Sequence, residues 1–456
     1  MDFVYKNKAI KEVGFFGFGK SNKALYEYLK KRYPILSFTL RDECTVNSQE
    51  GFSQIFTKKN AYDKIRENVL FLSPSVRRDS PFLSEALKRG VIISSDIEFF
   101  FERKSSDVYA VTGSDGKSTT AYLTSKLMRG AYKDAIPIAN FGEPVSSHIE
   151  DGRDKALIAE LSSFQLEYYV PKTKRCVITN ITPNHLNWHK SLEEYVSAKE
   201  NILRGAQEHV FNYDCERSRT LMTRHEAHTV VSALLSEEEL KKTVYAKRYI
   251  TLNDGHITVS GERFLDTSRI LARGTHNIYN FMFALALAYE NTRKEDLLSL
   301  AESFTGLNHR FETVHISGGI KYIDSSIDSS PKRTLATLTM TKEKVILILG
   351  GRSKSLSFEE LVRPISEKAK AVILVGENGK EIEEVLKSSA DFTASGIPYK
   401  RFSDFYEGVN YAVSIAKEGD TVLLSPASTS FDAFSSFEER GDAFKKFVKE
   451  ITEQKH

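Results

Sequence analysis

The sequence predicts an α/β protein of three domains, with mostly parallel sheets covered by helices, and three observations carry that expectation. Short apolar runs alternate with amphipathic segments almost throughout, as they do where strands are buried on both faces under helices. The 456 residues correspond to two to four domains at roughly 100 to 200 residues each. Hydrophobic residues make up 41% and charged residues 27%, so several cores can be buried and disorder is not the expectation.

In the first hundred residues, strands are expected at Val13–Gly17, Ile35–Leu40, Val69–Leu72 and Val91–Ser94, with a helix over Lys20–Arg32, together one doubly wound unit. The polar stretch Glu102–Asp107 marks a boundary near residue 106. Beyond it the run Val108–Thr112 enters a glycine-bearing turn and a helix over Lys117–Arg129. Further strands are expected at Ala156–Leu161 and Val177–Asn180, and a helix at Leu192–Arg204. A hairpin over Tyr249–Val259 turns on Asn253-Asp254-Gly255. Helical patterns at Asn277–Tyr289 and Lys294–Phe304 close this section, and Gly306–Arg310 marks a second boundary near 306. Then come strands Phe311–Ile316, Ile320–Ile323, Val345–Gly350, Ala371–Val375 and Thr421–Leu424. The expected domains are therefore 1–106, 107–306 and 307–456.

A formal net charge of +3, with no long run of one sign, gives no reason to expect a nucleic-acid surface or a polybasic membrane anchor. Three scattered cysteines, Cys44, Cys176 and Cys215, have neither disulfide nor zinc spacing. The amino-terminal stretch lacks the basic and apolar regions of a signal peptide, and no apolar run could span a bilayer. A cytoplasmic protein is expected.

The sharpest chemical signal is Gly113-Ser114-Asp115-Gly116-Lys117-Ser118-Thr119, between a strand and a helix. Glycines let backbone N–H groups wrap a triphosphate, the helix start faces its charge, Lys117 reaches the terminal phosphates, and Ser118 or Thr119 holds Mg²⁺. An ordinary turn with a surface lysine is the alternative. Gly17-Phe18-Gly19-Lys20-Ser21 has a similar setting but lacks the third glycine of a dinucleotide fingerprint, so a diphosphate site and a structural turn both remain open. Glu160 and His185 follow strand ends, where ligands sit in open α/β sheets, and could meet as ligands of a divalent cation. A structural histidine is the plainer reading of His185, as a solvated helix lysine is of Lys199.

These segments, taken together, resemble the Mur ligases. GSDGKST, ELSSFQLE, NITPNHLNWH, the lysine of EEYVSAKENI, GTHNIYN, GLNHRFE and LLSPAST with SFDAFSSFEERGDAF occur in that family's order and spacing, over nearly the whole chain. ELSSFQLE and the last run are most similar to the members that add D-glutamate. The resemblance implies a Rossmann-like N-terminal domain for a UDP-sugar, a P-loop ATPase-like central domain, and a Rossmann-like C-terminal domain for the amino acid. It also implies ATP and Mg²⁺ as cofactors, and UDP-N-acetylmuramoyl-L-alanine and D-glutamate as substrates. They would be joined through an acyl phosphate in peptidoglycan precursor synthesis, by an enzyme expected to be a monomer.

By motif position, Lys117 resembles the phosphate-loop lysine, with Ser118 and Thr119 at the first Mg²⁺, and Glu160 and His185 resemble second-metal residues. Lys199 resembles the lysine that carries a carbamate in this family, which turns a cation into an anion able to hold metal. Asn277, Arg310 and Asp324 fall on the ATP side. Ser21, in the Gly17–Ser21 turn, and Arg41 match the uridine-diphosphate side; Asn140, Ser162 and Gln165 match contacts to the muramoyl-peptide part. Ser329, Lys354, Ser430 and Phe437 fall at the amino-acid pocket. The chain departs from the family pattern in Asp324-Ser325-Ser326-Ile327-Asp328-Ser329-Ser330, where Ser325 and Ile327 replace a usual Asp and Lys. Asp324 or Asp328 is the neighbouring carboxylate that would substitute. Ser73-Pro74-Ser75 likewise has Ser where Gly is usual.

Overall fold

A computed structural model describes residues 2–42, 51–63, 65–74, 76–185, 188–352 and 356–453, which leaves Cys44 and Lys354 outside the described residues. The chain forms two compact units, Met1–Phe304 and Thr305–His456.

In the first unit, a short antiparallel ribbon, Phe3–Tyr5 with Lys8–Ile10, precedes a five-stranded parallel sheet. Its strands are β1 (Glu12–Phe16), β2 (Ser37–Asp42), β3 (Gln54–Thr57), β4 (Val69–Leu72) and β5 (Ile92–Ser94), in the order β3-β2-β1-β4-β5. Helix α1 (Lys20–Arg32) follows β1 and presents Leu25, Tyr26 and Leu29 to the core. The strand expected at Ile35 begins two residues later, because Ile35 is exposed and the buried run starts at Phe38.

A nine-stranded sheet follows: β6 (Asp107–Thr112), β7 (Asp134–Ala139), β8 (Lys155–Glu160), β9 (Thr173–Ile178), β10 (Ala206–Asn212), β11 (Thr229–Ser232), β12 (Arg248–Asn253), β13 (His256–Val259) and β14 (Glu262–Asp266). Its order is β14-β13-β12-β11-β10-β9-β6-β8-β7, parallel except for the antiparallel pairs β12/β13 and β13/β14. The expected hairpin is β12/β13, with Asp254 and Gly255 at φ +46° and +73°, the left-handed turn that a right-twisted ribbon requires. β7 escapes a reading by pattern because it contains Pro137, which an edge strand tolerates and a central one does not. Chain order reverses around β6, which lies between β9 and β8, so a crevice opens at the carboxyl end of β6. Helices α2 (Lys117–Met128), α3 (Leu192–Arg204) and α4 (Thr275–Ala288) cover this sheet. One apolar cluster runs from Phe15, Phe71 and Phe99 under the first sheet to Val108, Leu157 and Ile178 in the second.

The second unit has a six-stranded sheet of β15 (Glu312–Ser317), β16 (Ile320–Asp324), β17 (Val345–Gly350), β18 (Ala369–Val375), β19 (Tyr399–Arg401) and β20 (Thr421–Leu424). The order is β15-β16-β20-β17-β18-β19, parallel except for β15, so β20 inserts between two strands that begin 101 and 76 residues earlier in the chain. Helix α5 (Phe437–Glu453) packs Phe444 and Val448 onto this sheet. Among the described residues, no helix is long and apolar enough to cross a membrane.

Candidate active site

The site grows from the end of β6, whose residues Val108 to Thr112 are buried because the strand lies inside the sheet. The chain must then turn sharply to begin α2, and two glycines allow it. Gly113 has φ +151°, and a Cβ there would stand 1.9 Å from Thr179 Oγ1; at Gly116, with φ +78°, it would stand 2.5 Å from Asn280 Oδ1. The loop is pinned to the end of β9. Ser114 N–H donates to the Asn180 carbonyl at 2.9 Å, Asp115 N–H to Asn180 Oδ1 at 2.9 Å, and Thr179 Oγ1 to the Asp115 carbonyl at 2.6 Å. Lys117 folds over the loop, its Nζ donating to the Ser114 carbonyl at 2.8 Å, with Ser118 and Thr119 beneath it in the first turn of α2.

Helix α3 delivers the second lysine. Ser191 caps it by accepting from Glu194 N–H at 3.2 Å, and its inner face buries Tyr195, Ala198, Lys199 and Ile202. Lys199 is 1% exposed, and its Nζ donates to the Gly113 carbonyl at 2.7 Å and to Thr112 Oγ1 at 3.3 Å. It is thus no solvated helix lysine. Burial, reinforced by the Lys117 ammonium, pushes Lys199 well below the ordinary lysine range against the opposing pull of Glu160 and Asp115. Its amine is thereby biased toward the neutral, nucleophilic form. Tyr195, one turn earlier, shares a hydrogen bond with Ser114 Oγ at 2.9 Å and so ties α3 to the loop.

Glu160 ends β8 and is 1% exposed. Its Oε1 accepts from Asn140 Nδ2 at 2.7 Å, while Oε2 is buried with no partner. A buried carboxylate oxygen with nothing to bind fits a cation ligand, and the glycine cradle beside it fits phosphate oxygens. The residues present therefore suit Mg²⁺ and a nucleoside triphosphate: Lys117 and the loop amides for phosphate, Ser118, Thr119 and Glu160 for metal.

His185 is exposed, with φ +55° and its ring 4.9 Å from Phe164. Ser162 and Gln165 cap a short helix, Ser163–Leu166, reciprocally: Ser162 Oγ accepts from Gln165 N–H at 3.3 Å and Gln165 Oε1 from Ser162 N–H at 2.9 Å. Asn277 opens α4 and accepts from Asn280 Nδ2 at 3.1 Å. Asn280, which the sequence reading passed over, is the residue seated against Gly116. The signal was present, since it closes the GTHNIYN run and lies three residues from Asn277 on the same helix face.

At the first sheet, Gly17 (φ +77°) turns beside Ser73, and Ser21 lies in the first turn of α1, bonded to the fully buried Asp96. Desolvation lifts the Asp96 carboxyl to about 6. Arg41 is buried rather than ligand-facing: Nε donates to Glu67 Oε1 at 2.8 Å and Nη1 to the Asp63 carbonyl at 2.9 Å.

In the second unit, Arg310 is half-buried and Asp324 is wholly buried at the end of β16. Asp324 accepts from His309 Nδ1 at 2.7 Å and Ser326 N–H at 2.8 Å. Asp328 accepts from the hydroxyls of Thr337 and Ser425, both at 2.7 Å, and burial raises its pKa. Ser329 is half-buried. The Ser430 carbonyl accepts from Phe434 N–H at 2.8 Å, and Phe437 begins α5 with its ring 6.2 Å from His309. Arg440 was not singled out from sequence. It is buried, bonds Ser326 Oγ at 2.9 Å and the Ser428 carbonyl at 3.1 Å, and is pushed down by burial to about 10. With Gly350, Gly351, Gly376 and Phe434 it lines a cavity of about 120 Å³.

Comparison with known proteins gives a consistent result. Profiles of the Mur ligase middle domain and of the Mur ligase glutamate ligase domain match residues 111–288 and 309–428. The UDP-N-acetylmuramoylalanine–D-glutamate ligase of Acetivibrio thermocellus is 36% identical over 466 residues, which cover 99% of this chain and 98% of that protein. The chain belongs to the Mur ligase family. A ligase of the same name from Clostridium perfringens is 37% identical over 84% of this chain and 83% of its own. The Mur ligase fold is shared with the UDP-N-acetylmuramate-alanine ligase of Thermotoga maritima, at 18% identity and a TM-score of 0.58 over 96% of this chain and 99% of that one. It is shared also with a pseudomurein peptide ligase type C from Methanothermus fervidus, at 15% identity and a TM-score of 0.52 over 97% and 100%. As a Mur ligase the chain is an enzyme, and the middle-domain match takes in Lys117, Glu160, His185, Lys199 and Asn277.

Proposed function

We propose that this Mur ligase joins D-glutamate to UDP-N-acetylmuramoyl-L-alanine at the expense of ATP, as a cytoplasmic monomer that engages neither nucleic acid nor membrane. The observation that carries the chemistry is the convergence of Lys117, the buried Lys199 and the unpaired Glu160 Oε2 at the carboxyl end of the second sheet. The choice of substrates rests on the relatives and on the runs around Glu160–Glu167 and Ser430–Phe437.

Bound ATP with Mg²⁺ would supply the phosphoryl group that converts the muramoyl-alanine carboxylate to an acyl phosphate. Lys117 and the loop amides stabilise charge on the phosphoryl oxygens as they shift. Ser118, Glu160 and His185 would hold the cation. Lys199, whose pKa burial lowers, would attack CO₂ through the lone pair of its deprotonated amine and release an N–H proton to solvent, and the resulting carbamate would add an anionic ligand. Ser21, the Gly17 turn and Arg41 serve the uridine-diphosphate side, Arg41 by fixing the end of β2 through Glu67. Asn140, Ser162 and Gln165 face the muramoyl-peptide part. Asn277, Arg310 and Asp324 serve ATP; Lys354, Ser329, Ser430 and Phe437 serve the amino acid. The test is phosphate release across a panel of amino acids. D-glutamate together with UDP-N-acetylmuramoyl-L-alanine should be required, and release without either one would defeat the reading.

A further inference from the structure

Between the two sheets of the first unit lies a charged network that the reaction described above does not use. We propose that Arg77 is a positioning residue, which couples occupancy of the first sheet's ligand end to the alignment of His185 and Lys199; this rests on the functional reading above. Past β4 the chain runs by Ser73, whose N–H donates to the Phe16 carbonyl at 2.9 Å and whose Cβ lies 2.8 Å from where a side chain on Gly17 would begin. Movement of the Gly17 turn is therefore felt at Ser73. Four residues on, the Arg77 guanidinium donates to Asp79 at 3.0 and 3.1 Å, to Glu194 Oε1 at 2.9 Å, and to the Trp188 carbonyl. Lys190 Nζ closes the ring on Asp79 at 2.7 Å.

What Arg77 grips gives the network its consequence. The N–H groups of Trp188 and His189 both donate to the His185 carbonyl, at 3.0 and 2.9 Å, so the turn held by Arg77 is built on His185. Glu194 stands in the first turn of α3, five residues before Lys199. One guanidinium thus holds the segment carrying one expected metal ligand and the helix carrying the other. Its planar fork suits this task, and a lysine ammonium could not reach two carboxylates and a carbonyl in fixed directions. The neighbouring group Glu167, His189 and Glu194 has the composition of a metal site. However, the Glu194 oxygens already accept from Arg77 and from Lys190 N–H, so Glu194 is committed to the network.

Trp188 makes the coupling measurable. It is the chain's single tryptophan, and its ring lies 4.8 Å from the Arg77 guanidinium and 4.5 Å from Phe164. In the wild type, saturating UDP should change Trp188 emission. In Arg77→Met, UDP should still bind by calorimetry while the emission change is lost. In turnover, Arg77→Met should lower kcat by about ten- to a hundredfold, as loss of a charge-assisted contact does. KM for ATP should hold and the Mg²⁺ requirement should rise; Arg77→Lys should recover part of kcat, and Glu194→Gln should reproduce the loss. A merely structural role would lower thermal stability and leave the kcat-to-KM pattern and the UDP response intact, which overturns the proposal. So does a wild-type Trp188 signal indifferent to bound UDP. Should Arg77→Met not fold, Arg77→Lys and Glu194→Gln carry the same two readouts. If the wild type fails to use D-glutamate, the functional reading falls, and the UDP response of Trp188 still decides the coupling.

Discussion

Two glycine turns in the first unit have the same local plan, a parallel strand, a Gly-containing bend and a helix, yet they are built for different loads. At Gly113–Thr119 both glycines are sterically required, the backbone is pinned by Asn180, and two lysines and an unpaired carboxylate oxygen converge. At Gly17–Ser21 only Gly17 is required. Gly19 has ordinary extended geometry (φ −74°) with open space around its Cα, and Lys20 reaches away to the Gly142 carbonyl at 2.8 Å. The difference teaches that a glycine pattern sets where a backbone can bend. The charges brought in from distant elements decide whether the bend can handle a triphosphate.

Breaking the charged turn should have the largest effect. Lys117→Ala should cost about 3 to 4 kcal/mol of transition-state stabilisation, hence about a hundred- to a thousandfold in kcat. Thermal unfolding should be little changed, and D-glutamate-dependent phosphate release against a melting curve checks both halves. Lys199 separates activity from stability. Because its folded pKa lies below the unfolded one, the unfolded chain holds more protons at neutral pH, so stability rises with pH up to the ordinary lysine range near about 10.4. Lys199→Met should therefore melt higher than wild type in bicarbonate-free buffer at pH 7, with most of the gap gone by pH 10, while activity is lost. Small carboxylates added to Lys199→Ala should restore part of the rate. A surface lysine would instead change stability by about half a kcal/mol or less.

The glycines themselves sharpen the contrast. Gly113→Ala places a methyl against Thr179 at a left-handed φ and should destabilise by about 2 kcal/mol or more in urea unfolding, with activity gone. Gly19→Ala, in extended backbone with nothing nearby, should stay within about 0.5 kcal/mol of wild type. Equal costs at the two glycines would erase the distinction between the turns.

The same contrast explains what was legible in the sequence. Gly113 to Thr119 could be read because the motif is local: seven consecutive residues, a strand before and a helix after. Glu160 was legible as a strand-end carboxylate, but its unpaired oxygen was not, since that depends on Asn140 taking the other one from β7's end. Lys199 looked like any helix lysine, because burial against Gly113 is a property of the β6–α3 packing. Arg440 and Arg77 act in part through partners far along the chain, Ser326 114 residues from Arg440 and Glu194 117 from Arg77, and no spacing rule reaches that far. Most strands with both faces apolar were read; those missed include Asp134–Ala139 and Ala206–Asn212, where a proline or a polar start breaks the run, and Thr229–Ser232, whose four residues are too few to show a pattern.

The strand order of the second unit has a kinetic side. β20 supplies an interior strand between β16 and β17, although it is synthesised after every other strand of that sheet. Until residues 421–424 emerge from the ribosome, β16 and β17 each present an open, apolar edge to the crowded cell, and neither can pair with the other without trapping the chain. Such a sheet cannot be completed strand by strand; it closes in one late, nonlocal event.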